Sequence, residues 1–157
     1  MNAPRLEIDL EKIGHNARML VAANEAVGIS VTAVTKAFLG LPALARVLLD
    51  AGAVALGDSR IENVETMRSA GIDAPMLLIR SPMPSQIQRV IDSGVVSANS
   101  ELDVLEQLSV QAVRRGVDHG VLLMRTADVG PDVARGEGEG FRDVAHWREA
   151  HETFWAR

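Results

Sequence analysis

The chain has 157 residues, 47% of them hydrophobic, which suits one soluble domain but falls short of the ~250 residues of a closed eight-stranded α/β barrel. The net charge of −5 argues against nucleic acid or an anionic membrane as partner, and the absence of cysteine excludes disulfides, cysteine zinc sites and thiol catalysis. No stretch approaches the ~18 apolar residues of a membrane span, so we expect a cytoplasmic protein that binds small molecules.

Short apolar runs alternate with helical segments along residues 1–124. A first short strand is predicted over residues 6–10, with Asp9 placed to begin the helix that follows. Five further runs start roughly 19 to 25 residues apart, which is the length of one strand–helix unit. They are residues 31–35, 53–57, 76–79, 95–98 and 120–124. Because such near-continuous apolar runs suit strands buried on both faces, the pattern predicts a parallel sheet.

The segments between these runs carry signals for helix starts and stops. Residues 59–62 and 100–103 have the serine-to-acid spacing of a capping box, which predicts helix starts there. Glycines are expected to end the helices in a left-handed conformation. These glycines are Gly28, Gly52, Gly71, Gly94 and Gly116.

The composition changes at Arg125. The remaining 33 residues lack Leu, Ile, Met and Lys but hold both tryptophans, and residues 130–140 resemble a charged, glycine-rich linker. We therefore divide the chain into a barrel domain at 1–124 and an irregular or helical tail at 125–157. The tail is interpreted as a disordered extension, as foreign sequence from a shifted frame or gene fusion, or as a functional module.

Lys36 is the first candidate for chemistry. It is one of only two lysines, and it ends an apolar run, whereas Lys12 lies on a helical stretch. Parallel α/β barrels place catalytic groups at the carboxyl ends of their strands, and partial burial frees a lysine amine as a nucleophile. The plainer alternative is a lysine that extends into solvent.

Other polar residues stand at the ends of the next three runs. Asp58, Ser59 and Arg60 open a helix, and Arg80 and Asn99 follow the two later runs. Such groups and helix amides bind cofactors, phosphates or carboxylates, although simple capping by Ser59 beside an exposed Arg60 is an alternative. Together with the lysine they predict a polar rim around one mouth of the barrel. The histidines show no metal-ligand spacing, so no metal is predicted.

Several short motifs together resemble one enzyme family. The sequence Glu-Ile-Asp-Leu at residues 7–10, followed by Val-Thr-Lys at 34–36, is similar to the opening of the alanine racemase N-terminal domain, a pyridoxal phosphate barrel of fold type III. Residues 40–42, 57–63 and 99–102 are more similar to the ornithine racemase-type branch. The resemblance covers about residues 4–124.

The resemblance implies a fold and an activity. The fold would be an incomplete (β/α)8 TIM-like barrel, with about five parallel barrel strands plus the N-terminal strand. Lys36 would hold pyridoxal 5'-phosphate as an internal aldimine and then act as one acid/base in an amino-acid racemase that works as a homodimer. The implied cofactor-binding residues are Lys36, Asp58, Ser59, Arg60, Arg80 and Asn99.

The sequence also departs from the family. It contains no tyrosine, the residue that serves as the opposite-face base in alanine racemases, and only five barrel strands can be counted. We therefore expect this chain alone to be inactive or very weakly active. Two alternatives stay open: a non-catalytic pyridoxal phosphate-binding or homeostasis protein, and an inactive truncated fragment. The amino-acid substrate and the oligomeric state are not determined by the sequence.

Overall fold

The computed structural model describes residues 7–124. These residues fall into two compact units, a first unit that ends at Ile79 and a second unit that begins at Arg80. Both units alternate strands with helices, and every strand pairing described within a unit is parallel. The predicted α/β class is therefore confirmed.

The first unit contains three strands, which pair in the order β1, β2, β3. A single 3-10 turn, Lys36–Phe38, lies between β1 and α2. The elements are α1 (Leu10–Glu25), β1 (Thr32–Val34), α2 (Pro42–Asp50), β2 (Ala55–Asp58), α3 (Ile61–Ser69) and β3 (Met76–Leu78). The register sets Val34 beside Gly57, so β1 and β2 end side by side.

The second unit contains two parallel strands, β4 and β5, with Asn99 of β4 beside Leu123 of β5. A 3-10 turn, Pro84–Gln86, leads into its first helix. The elements are α4 (Ile87–Asp92), β4 (Val96–Asn99), α5 (Leu102–Arg115) and β5 (Val121–Leu123).

Alternate side chains of the first unit's strands differ in burial. Leu56 and Leu78 are buried together with Val64 and Met67 of α3, whereas Val34 is 44% exposed. Successive side chains of a strand point to opposite faces, so one face of this sheet forms the core with the helices and the other is more open.

Most of the predicted elements are confirmed. Each of the five later apolar runs overlaps an observed strand, with ends shifted by at most two residues. The five glycines predicted to end helices all have positive φ. Within residues 7–124 no helix is long and apolar enough to cross a bilayer. The predicted tail at 125–157 lies outside the described residues.

Three local predictions are wrong. Among the described residues of the predicted first strand, Leu10 already begins α1, because the Asp9 carboxylate accepts hydrogen bonds from the N–H groups of Glu11 and Lys12, both at 3.1 Å. Neither predicted capping box forms. Helices α3 and α5 begin after Arg60 and Glu101, and no side chain of those N-cap residues caps the helix.

Candidate functional site

Lys36 stands at the carboxyl end of β1, as the sequence predicts. It is the first residue of the 3-10 turn, and β1 ends two residues before it. Its side chain is exposed, and its amine forms no hydrogen bond or ion pair with another described residue. The expected partial burial is not observed within residues 7–124, where Lys36 and its neighbours Ala37 and Leu39 are all exposed.

The turn that carries Lys36 has an unusual backbone. Leu39 adopts a left-handed conformation with φ of 56°, the one positive φ of a non-glycine residue in the described part of the chain. Gly40 follows with φ of 66°. The N–H of Leu39 donates to the carbonyl of Lys36 and the N–H of Gly40 to that of Thr35, both at 3.3 Å. A left-handed L-residue costs roughly 1–2 kcal/mol, so the turn needs support from its surroundings.

A buried carboxylate lies next to this turn. Asp58, the last residue of β2, is 1% exposed, and its Oδ2 accepts a hydrogen bond of 2.6 Å from the Thr35 hydroxyl. Its Oδ1 accepts from the Arg60 backbone N–H at 3.0 Å and from Asn63 Nδ2 at 2.9 Å. The carboxylate thus receives three donors, and we call Thr35, Asp58 and Asn63 the Asp58 network.

Ser59 and Arg60 lie at the surface at the end of β2. Ser59 is half-buried and Arg60 is exposed. The guanidinium of Arg60 is 3.8 Å from the carboxylate of Glu62, and both side chains are largely exposed. An exposed pair of this kind contributes little to stability, so the guanidinium is available to an anionic ligand.

The other two predicted residues belong to the second unit. Arg80 is its first residue and is exposed, whereas Asn99, at the end of β4, is completely buried. Asn99 Nδ2 donates to the carbonyl and to the hydroxyl of Ser97, both at 2.9 Å, while its Oδ1 has no partner. Ser97 Oγ is also 2.8 Å from His119 Nε2, and burial lowers the pKa of His119.

The first unit therefore brings together Lys36, Asp58, Ser59 and Arg60. Two of the predicted binding residues, Asp58 and Asn99, are buried, with 1% and 0% of their surface exposed. We interpret both as groups that shape the strand ends, and their contact with a cofactor stays a prediction.

Sequence reasoning missed two residues of the Asp58 network. From the sequence, Thr35 is predicted only to lie in an apolar strand, and Asn63 has no predicted role. One signal was present: a residue five positions after Asp58 lies on the first turn of α3, close enough to reach back to the preceding strand end.

Comparison with known proteins shows to which family the chain belongs. A model of the alanine racemase N-terminal domain matches residues 8–153. The chain belongs to this family. It is 38% identical over 127 residues to the lysine racemase of Thermotoga maritima, a match that covers 81% of this chain and 35% of that one. It is 27% identical over 121 residues to the ornithine racemase of Acetoanaerobium sticklandii, covering 77% of this chain and 34% of that one.

Solved structures agree on the fold. D-threonine aldolase from Filomicrobium marinum superposes with a TM-score of 0.73 at 18% identity, covering 80% of this chain and 35% of that one. Alanine racemases of known structure resemble the chain as well. The expected resemblance and the incomplete barrel are therefore confirmed, with five parallel strands in the described part of the chain. The chain spans about a third of the length of the curated relatives.

Proposed function

We propose that this chain is the N-terminal portion of a pyridoxal phosphate-dependent amino-acid racemase and that Lys36 binds the cofactor. The observation that carries the proposal is the position of Lys36, an exposed amine at the carboxyl end of a parallel strand in a member of a racemase family. The only other lysine, Lys12, lies on α1 and forms an ion pair of 3.2 Å with Asp9.

The residues present fit the cofactor. Its aldehyde requires a primary amine that is accessible and free of a competing ion pair, and Lys36 meets both conditions among the described residues. Its phosphate requires donors and positive charge, which the exposed Arg60 and the half-buried Ser59 offer within the same unit. Lys36 would thus hold the cofactor covalently, with Ser59 and Arg60 as contacts. The role of Arg80, which belongs to the second unit, stays a prediction.

When bound, pyridoxal phosphate supplies an electron sink for negative charge at the α-carbon of an amino acid. The chain's own task is then to move a proton. Once the amine of the substrate has replaced it on the cofactor, Lys36 Nζ would accept the α-proton on one face and return it. Inversion also needs a proton donor on the opposite face, and no tyrosine of this sequence can serve. We therefore expect cofactor capture from this chain, with little or no racemisation by it alone.

The relatives suggest which substrates to test first. The two most informative ones are named as lysine and ornithine racemases, so basic amino acids are our preferred substrate class. We also expect assembly as a homodimer, which light scattering of the purified chain would measure.

The test of cofactor binding uses the two lysines of the chain. The protein is incubated with pyridoxal phosphate, reduced with sodium borohydride, digested and examined by mass spectrometry. We expect the added mass on residue 36, its loss in Lys36→Ala and Lys36→Arg, and its persistence in Lys12→Ala. Modification of Lys12 alone, or none at all, would refute the proposal.

Activity assays then distinguish a racemase from a protein that only binds the cofactor. D- and L-forms of lysine, ornithine, alanine and serine are followed by chiral chromatography, with a full-length relative as positive control. Slow inversion that disappears in Lys36→Ala supports the racemase. Capture of the cofactor without inversion is expected of an incomplete racemase as well as of a non-catalytic cofactor-binding protein, so only inversion distinguishes the two.

A further inference from the structure

The turn that carries Lys36 is attached at its beginning to the end of β2 and at its far end to the first turn of α3. We propose that Asp58 is a positioning residue: through Thr35 and Asn63 its buried carboxylate fixes residues 35–40 and thereby the amine of Lys36. The role given to Lys36 rests on the proposed function, whereas the attachment of the turn does not depend on it.

The first attachment lies immediately before Lys36. The Thr35 hydroxyl is 2.6 Å from Asp58 Oδ2 and 3.2 Å from the carbonyl of Gly57, and Thr35 is completely buried. Its backbone N–H also donates to the Gly57 carbonyl at 2.8 Å. Three contacts thus hold the residue that precedes the lysine to the end of β2. A short hydrogen bond to a carboxylate is among the stronger ones in proteins, so this end of the turn is fixed.

The second attachment lies at the far end of the turn. A Cβ atom added to Gly40 would stand 2.7 Å from the Cβ of Asn63 and 3.0 Å from its carbonyl oxygen. The backbone of Gly40 therefore rests directly on the first turn of α3. The side chain of Asn63 at the same time donates to Asp58 Oδ1. One residue of α3 thus meets both the end of the turn and the carboxylate that holds its beginning.

The backbone of the turn explains why two attachments are needed. Leu39 and Gly40 are both left-handed, and the Leu39 side chain is 67% exposed, so it gains little from packing. Strained residues persist only where the surrounding structure determines their conformation. The Asp58 network supplies that restraint on either side of Lys36. It would leave the side chain exposed while fixing the point from which it projects.

An ordinary buried network that only stabilises the fold makes a different prediction. It would not set the reactivity of one exposed amine relative to another. The chain provides an internal standard, because Lys12 is also exposed and lies on α1, outside the turn and the network. A small anhydride acylates both amines, and mass spectrometry measures the ratio of Lys36 to Lys12 acylation. This ratio therefore shows how the turn affects the reactivity of Lys36, without any cofactor.

The test compares two substitutions of one residue. Thr35→Val keeps the shape and removes the hydroxyl, whereas Thr35→Ser keeps the hydroxyl. In Thr35→Val we expect the amides of residues 36–40 to exchange hydrogen about tenfold faster, the acylation ratio to change severalfold, and borohydride-trapped cofactor to form on the order of tenfold more slowly. Thr35→Ser should restore all three towards the wild-type values.

Asp58→Asn provides a second variant of nearly the same size. Its amide oxygen can keep the two donors at Oδ1, while the hydroxyl of Thr35 must turn to the Gly57 carbonyl. We expect an effect between those of Thr35→Ser and Thr35→Val. Circular dichroism establishes that each variant is folded before reactivity is compared.

Hydrogen exchange of the unmodified chain keeps the inference testable should the variants fail to fold. The amides of Gly40 and Arg60 should then show equal protection factors, which compare each amide with its own rate in an unstructured peptide, because the network joins them. Unequal protection factors, with Gly40 unprotected, would overturn the inference. So would a folded Thr35→Val with unchanged exchange, acylation ratio and trapping. If the wild type captures no cofactor but exchange and acylation behave as expected, the proposed function fails and the positioning stands.

Discussion

The first and second units each bury polar side chains at a pair of adjacent strand ends, but they satisfy them differently. In the first unit the Asp58 carboxylate receives donors from Thr35, Asn63 and the backbone of Arg60. In the second unit Asn99 donates twice to Ser97, yet its Oδ1 has no partner. Exchanging its amide oxygen and nitrogen would set that oxygen against the Ser97 carbonyl, so no flip satisfies the group.

The difference teaches what each end can do. The Asp58 carboxylate receives three donors from two segments of the chain, so it is held firmly in place. One of these donors, Thr35, immediately precedes Lys36. The hydrogen-bonded chain of Asn99, Ser97 and His119 leaves one oxygen without a partner and ends in a histidine whose pKa is lowered by burial. The first arrangement suits a turn held in one conformation, and the second contains a group that responds to pH.

The largest effect is expected where the first unit is tightest. Gly40→Ala and Gly71→Ala impose a similar backbone penalty, because φ is +66° and +77°, but only the former creates a contact within 4 Å. We expect Gly71→Ala to cost about 1 kcal/mol and Gly40→Ala about 3 kcal/mol, since the latter adds a clash with Asn63. Urea unfolding measures both. Equal losses would show that Gly40 does not rest on α3 as described.

An effect of similar size compares the two networks directly. Asp58→Ala leaves the Arg60 N–H and Asn63 Nδ2 without an acceptor, whereas Asn99→Ala removes an already unpartnered oxygen and leaves acceptors on Ser97. Unsatisfied buried donors cost roughly 1–3 kcal/mol each, so we expect a loss of about 3 kcal/mol for Asp58→Ala and about 1 kcal/mol for Asn99→Ala. Thermal unfolding of both variants provides the measurement. A larger loss in Asn99→Ala would reverse the ranking of the two strand ends.

The architecture could be predicted from the sequence because its signals are local. Apolar runs, helical spacing and terminal glycines each act within a few residues, and they located all five strands of the described chain and placed Lys36 just after β1. The prediction of a first strand was wrong for a local reason as well. Asp9 is the N-cap of α1, so Leu10 is already helical.

The site was less predictable because its contacts are not local. The bond between Thr35 and Asp58 joins residues 23 apart and depends on the register of β1 with β2, which no short motif specifies. Serine at 59 has the residue type of a helix cap, yet Asp58 takes the backbone N–H of Arg60. The sequence therefore identified which strand ends are polar, but not which polar groups face inward.

The smallest expected effect is a loss of stability at acidic pH, which should arise in the second unit and not in the first. Burial lowers the pKa of His119 below its ordinary value of about 6.5, so the unfolded chain binds more protons at this residue than the folded one. The stability that this contributes is present above about pH 6.5 and is lost as the pH falls from there towards the folded-state pKa. Because His119 is only half-buried, the slope should be well below the limit of about 1.4 kcal/mol per pH unit for one proton.

The hydrogen bonds give this loss a local cause. Since Asn99 already donates to Ser97 Oγ, the hydroxyl proton of Ser97 is free for a neutral His119 Nε2. A proton on Nε2 would turn that nitrogen into a donor and leave the hydroxyl proton without this acceptor. Asp9 and Glu101, whose pKa values are lowered by hydrogen bonds to Lys12 and Ser100, stay ionised between pH 5 and pH 7.5, as expected for carboxyl groups of pKa below about 4.5.

The measurement is urea unfolding at several values between these limits, with His119→Gln as the matched variant because glutamine can still bond to Ser97. The wild type should lose stability towards the acidic end, and the difference from His119→Gln should shrink there. Hydrogen exchange should place the loss at residues 97–99 and leave the turn at 35–40 unchanged, because the Asp58 network contains no histidine. A parallel loosening of that turn would mean that the two strand ends respond together, and the contrast between them would then fail.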